Sequence, residues 1–134
     1  MSYYLRRGFR AVWRMPCIVA CILGGPALAH HSFALFDRSK YVRITGTVVD
    51  WQFTNPHSWL DLKQAGSGNA YAFETASVNV LAREGMNLGT FKPGDTVTVL
   101  EWALRDGRLG GTVVFVTDAR GKTYNTFPVP GGKP

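Results

Sequence analysis

The chain has three histidines, and two of them are adjacent: His30-His31, with His57 further along. Directly before the pair stands Ala27-Leu28-Ala29, the small-x-small form after which signal peptidase cuts. Cleavage there makes His30 the first residue of the mature protein. A free α-amine beside an imidazole is a chelate: the amine and His30 Nδ1 close on one ion. A third nitrogen, from His57 or His31, completes a T-shaped site. Amine and imidazole nitrogens suit Cu(II), which stands at the top of the divalent affinity order. The amine ordinarily titrates near 8, so a bound metal displaces its proton at neutral pH. Ser32 occupies the third position, so this is not the amino-terminal copper motif with histidine in third place. The competing reading is a solvated arm whose histidines suit export and cleavage alone. In an extended segment His57, Trp59 and Asp61 share a face, because side chains repeat every two residues. Asp61 is then a candidate to orient His57 as a metal ligand's partner. Otherwise His57 packs on Trp59 and bonds the turn around it.

The segment before the histidines reads as an export leader, residues 1–29. Arg6, Arg7, Arg10 and Arg14 form a basic start, and Met15 to Leu28 is uncharged and mostly apolar. That run is broken by Gly24, Gly25 and Pro26 and is short of the roughly 20 apolar residues a membrane span needs. No stable span is expected once it is removed. Arg6-Arg7-Gly8-Phe9 also has the look of a twin-arginine address, and Ile18-Val19-Ala20-Cys21 that of a lipoprotein box, so the export route stays open. The expected location is the periplasm or outside the cell.

Removing the leader changes the arithmetic of the chain. Four of the 15 lysines and arginines lie in it and none of the 9 acids, so the net charge of +6 falls to +2. A nucleic-acid binder wants a concentrated basic face, and no such partner is expected. Both cysteines, Cys17 and Cys21, leave with the leader, so the mature chain has neither disulfides nor thiolate ligands. Its 105 residues suffice for one modest core. Trp51, Trp59, Trp102, Tyr71, Phe73 and Phe115 either fill that core or form a stacking platform for a flat ligand. Asp50, Asp61, Glu74, Glu84, Asp95, Glu101 and Asp106 show no acid–base pairing, and Ser32, Ser58 and Ser77 no triad context. No nucleophile elbow, phosphate loop or zinc helix is present, so no enzyme is expected. A histidine-bracketed copper with an open position is the one catalytic alternative.

The histidines need a scaffold. Phe33, Leu35 and Phe36 form an arm apolar enough to dock. Tyr41 to Phe53 reads as a long strand. Its apolar alternation runs through Val42, Ile44, Gly46 and Val48 and then slips by one to Val49, Trp51 and Phe53, which predicts a β-bulge. Thr54-Asn55-Pro56-His57 is a turn. Ser58 to Lys63 and Ala70 to Thr75 are strands joined by a glycine-rich loop. Ser77 to Arg83 is a short helix with Ser77 as cap and Gly85 as stop. Thr96 to Leu104 and Gly110 to Thr117 are strands joined at Asp106-Gly107, with a short final strand near Tyr124. Pro128 to Pro134 is a frayed tail. Three strands, a helix and two or more strands is the order of an OB-like barrel. The fold expected is mainly β, a small OB-like β-barrel with one short helix over residues 30–127.

Ala29-His30-His31-Ser32-Phe33 with Phe36-Asp37, then Gly46-Thr47-Val48, then Asn55-Pro56-His57-Ser58-Trp59, resembles the domain-of-unknown-function family six-one-five-two of small exported bacterial proteins. Lys92-Pro93-Gly94-Asp95-Thr96-Val97 and Asp106-Gly107 extend the resemblance over nearly all of residues 29–123. Where the family tends to have Ser-Pro before the helix, this chain has Ser77-Val78. The resemblance implies an exported β-rich domain and no activity. The function expected from residues and resemblance together is an exported binding module that holds copper through His30, His31 and His57, or else a periplasmic protein–protein interaction module with structural histidines.

Overall fold

The computed structural model describes residues 33–127. The leader, His30, His31 and the tail 128–134 lie outside the described residues. A 3-10 turn, Phe33–Leu35, comes first. It is followed by strands β1 (Val42–Gln52), β2 (Trp59–Gln64) and β3 (Ala70–Glu74), helix α1 (Val78–Arg83), and strands β4 (Thr96–Ala103), β5 (Gly110–Asp118) and β6 (Thr123–Asn125). The strand order is β3-β2-β1-β4-β5-β6, and β3 also pairs with β5. That pairing is parallel, while the rest are antiparallel. Five strands thus close into an OB-like barrel with the helix between β3 and β4. Among the described residues no helix is long and apolar enough to cross a membrane.

β1 belongs to both sides of the barrel. Its first half pairs with β4 and its second half with β2, overlapping at Gly46 and Thr47. The expected phase slip is real and sits between Val48 and Asp50. One detail differs from the sequence reading: Val49 does not point inward but is the bulged residue, 54% exposed. The extra residue is left unpaired, and the inward set resumes at Trp51. Glycine permits the two tightest approaches. A Cβ on Gly46 would lie 2.6 Å from the Lys63 carbonyl oxygen, and one on Gly110 (φ +122°) would strike that of Ala72, where β5 closes on β3.

The barrel interior is filled by Ile44, Val48, Leu60, Leu62, Phe73, Val97, Val99, Val113 and Val116, with Leu81 and Met86 joining from the helix and its exit. A second cluster, Phe36, Trp102, Val114 and Phe115, lies apart from it, with Leu100, Leu104 and Phe127 packed against it. β5 serves both clusters. Its register against β4 shifts between Leu100 and Glu101, which skips Val114. That turns Val114 and Phe115 away from the interior shared by Val113 and Val116.

Candidate functional site

His57 is placed by a loop with few degrees of freedom left. Ser58 is fully buried. Its hydroxyl donates to the Thr54 carbonyl at 3.0 Å and accepts the Thr54 N–H at 3.1 Å, which closes the loop 54–58 on itself. The Ser58 backbone is held from the other side by Ala76 and Thr75, and the Thr75 hydroxyl donates to its carbonyl at 3.0 Å. Asn55 reaches across to helix α1, where its Oδ1 accepts the Val78 N–H at 3.2 Å. Ser77 occupies the cap position but makes no side-chain cap bond, so Asn55 does what the sequence assigned to Ser77. The Asn55-Pro56 bond is cis.

So held, His57 Nδ1 meets Glu74 Oε1 in a close polar contact. The register explains the meeting. Glu74 ends β3 directly opposite Trp59, the first residue of β2, and His57 lies two residues before Trp59 on the same face. Asp61, the orienting partner suggested by the sequence, shares that face but stands opposite Asp50 of β1 instead. Burial and the neighbouring Asp50 charge push its carboxyl above the ordinary range. Glu74 was the residue missed. Nothing local marks it, and only the pairing of β2 with β3 brings it to the imidazole.

Glu74 and Trp59 also line a cleft of about 280 Å³ with Ala72, Gly111, the arm residues Leu35 and Phe36, and Leu104, Arg108 and Leu109 at the turn between β4 and β5. The arm and the turn before β5 therefore converge on the outer surface of β2 and β3, and the loop before β2 reaches Glu74 there through His57. The arm is fastened there by backbone bonds. Asp37 N–H donates to Ala103 at 2.8 Å, Arg105 N–H donates to Leu35 at 2.9 Å, and Phe36 bridges Leu104. Trp59 is 38% exposed, and Leu35 and Leu109 are also open to solvent. Arg108 is turned to Asp106, with Nε to Oδ2 at 2.8 Å. Of the aromatic residues considered as a platform, Trp51, Phe73, Trp102 and Phe115 are buried and Tyr71 is half-buried against Phe73. Trp59 alone among the six offers a face to a ligand.

A larger cleft, about 390 Å³, lies elsewhere among Thr90, Lys92, Asp95, Asp118 and Arg120. It contains none of the histidines; Arg120 pairs with Asp118 at 2.9 Å, and the Asp95 carboxylate accepts the Lys92 backbone N–H at 2.8 Å. Among the described residues no three His, Cys, Asp or Glu side chains converge on one point. His57 and Glu74 are two such groups in contact.

A family model described as a family of unknown function (DUF6152) matches residues 18–114. The chain belongs to the DUF6152 family. The match takes in the arm, the His57 loop and the five barrel strands up to Val114. No curated protein and no solved structure matches the chain. For this DUF6152 domain the function has therefore to be argued from its own cleft.

Proposed function

We propose that this DUF6152 protein is an exported binding module, not an enzyme, and that its ligand sits on the outer face of β2 and β3, where OB barrels bind between the same two loops. Its sharp form is a Cu(II) carrier: His57, the His30 amine and imidazole, and His31 as the alternative ligand. The observation that carries this reading is the His57–Glu74 pair beside the docked arm. A ligating imidazole almost always gives its second nitrogen to a carboxylate or carbonyl, and His57 has that partner. Reach supports it as well. Leu35 lines the cleft with Trp59 and Glu74, and His31 is four residues upstream, within about 14 Å for an extended chain. Borderline nitrogen donors beside one carboxylate favour Cu(II) over hard cations.

The test is a Cu(II) competition titration on the exported protein, its start checked by native mass spectrometry. One copper per chain is expected, with affinity falling at least 100-fold when a serine is inserted before His30, and a similar fall for His57→Ala. Equal affinity with and without the insertion would overturn the terminal chelate. A second reading is supported by the exposed Leu35, Trp59 and Leu109 on the cleft rim: an interaction module whose partner covers these side chains. On that reading Trp59→Ala abolishes capture of a periplasmic partner, and His57→Ala leaves it intact.

A further inference from the structure

We infer that Glu74 is a positioning residue: its carboxylate takes the hydrogen on His57 Nδ1, fixes the ring in that tautomer, and leaves the Nε2 lone pair as the binding atom beside the cleft that Glu74 lines. For the identity of the ligand, a borderline transition-metal cation, this rests on the copper reading above.

A neutral imidazole has one donor and one acceptor nitrogen, and an ionised carboxylate only accepts. The nitrogen facing Glu74 is Nδ1, so Nδ1 carries the hydrogen and Nε2 the lone pair. Among the described residues Nε2 has no hydrogen-bond partner, and the side chain is 46% exposed against 19% for Glu74. The carboxylate is the more shielded of the two and the imidazole the more open, as a ligating histidine requires. Glu74 is itself fixed on both sides. Its neighbour across β2 is Trp59, and its carbonyl accepts the Thr112 hydroxyl of β5 at 3.2 Å. The closure of the barrel thus sets the direction of the imidazole. No other acid replaces it: Asp61 stands opposite Asp50, and Asp106 is held by Arg108. Among the described residues the Glu74 carboxylate has His57 as its one side-chain partner.

The experiment is nitrogen NMR of the His57 ring in the metal-free exported protein, joined to Cu(II) competition on the same samples, for wild type, Glu74→Ala and Glu74→Gln. Wild type is expected to hold hydrogen on Nδ1 alone. Glu74→Ala should give a mixture of tautomers and a 10- to 100-fold loss of Cu(II) affinity, the range seen when such partners are removed. Glu74→Gln keeps the shape, and its amide both donates and accepts, so it should give an intermediate mixture and an intermediate loss. A wild-type ring with hydrogen on Nε2, or on both nitrogens at pH 7, would overturn the inference. So would a tautomer unchanged in both variants. The Nδ1 tautomer lost in both variants, in a protein that takes up no copper, would support the role of Glu74 and overturn copper as the ligand.

Discussion

Two hydrophobic regions share strands β4 and β5 and differ in almost everything else. The barrel interior is mostly aliphatic, drawn from every barrel strand and the helix. The outer layer is aromatic and draws on the arm before β1 and the segment after β6. Tyr41 stacks on Trp102 at 6.0 Å, Phe127 meets Trp102 edge-on at 5.8 Å, and Phe33 meets Phe127 at 5.4 Å. The Arg38 guanidinium lies 4.7 Å from the Trp102 ring and 5.4 Å from that of Phe33. The interior makes the barrel, and the outer layer covers one side of it with the arm. Without that layer the arm would keep only its backbone bonds to Ala103 and Arg105, and the wall that Leu35 and Phe36 give the cleft would loosen. The contrast teaches that a small barrel with a filled interior can add a second, aromatic layer outside it, where flat rings cover much area with little ordering cost.

The sharpest way to break this division is to empty each region in turn. Phe73→Ala removes a fully buried interior ring and should cost about 3–5 kcal/mol, enough to unfold much of a domain of this size in a urea titration. Phe36→Ala, in the outer layer, should cost less, about 1–3 kcal/mol. The loss there is limited by undocking of the arm, and hydrogen exchange should speed up at Asp37 and Arg105, whose N–H groups hold it. Equal costs, with exchange accelerated throughout, would mean that the two regions are one cooperative core.

Between these in size is a flaw in the interior itself. Glu101 continues the inward alternation of Val97 and Val99 and is 2% exposed. Its Oε2 has no hydrogen-bond partner and lies against Gly111, where a Cβ would come within 2.5 Å of it. Burial pushes its carboxyl up to about 7. The folded protein therefore holds this proton more tightly than the unfolded chain, where the group titrates near 4.5. Stability contributed by the neutral acid is complete below pH 4.5 and is lost as the pH rises through 7. The loss is roughly 3 kcal/mol at 1.4 kcal/mol per pH unit. Glu101→Gln should remove this dependence, giving urea midpoints that no longer fall between pH 5 and pH 8. A midpoint falling in parallel with wild type would assign the dependence to other groups. The smallest effect belongs to the rim of the outer layer: Arg38→Ala removes an exposed cation from two rings and should cost about 0.5–1 kcal/mol, read as a small shift in the same titration.

Much of the frame was legible because it depends on local patterns. Alternation located β1 and its bulge, glycine and proline marked the turns, and the order of three strands, a helix and two strands pointed to the barrel. The limits of local reading show at particular residues. Val49 looked inward by parity, but a bulge has no parity to offer, and the side chain went to solvent. Ser77 looked like a helix cap because caps are read from nearest neighbours, and the bond came from Asn55, 23 positions away. Trp59 and Trp102 are the same residue type, yet one lines a cleft and the other is buried, because Trp102 is packed in a cluster with Phe36, Phe115 and Phe127.

The candidate site divides the same way. Residue chemistry named His57 and the His30-His31 pair, since imidazole is rare in this chain and its donor properties do not depend on context. Which acid faces His57 was decided by strand register: β2 and β3 pair so that Trp59 meets Glu74, and β1 and β2 pair so that Asp61 meets Asp50. Register is a long-range choice, set by burying one face of every strand at once. It leaves no trace in the residues around Glu74, and it gives the histidine its partner.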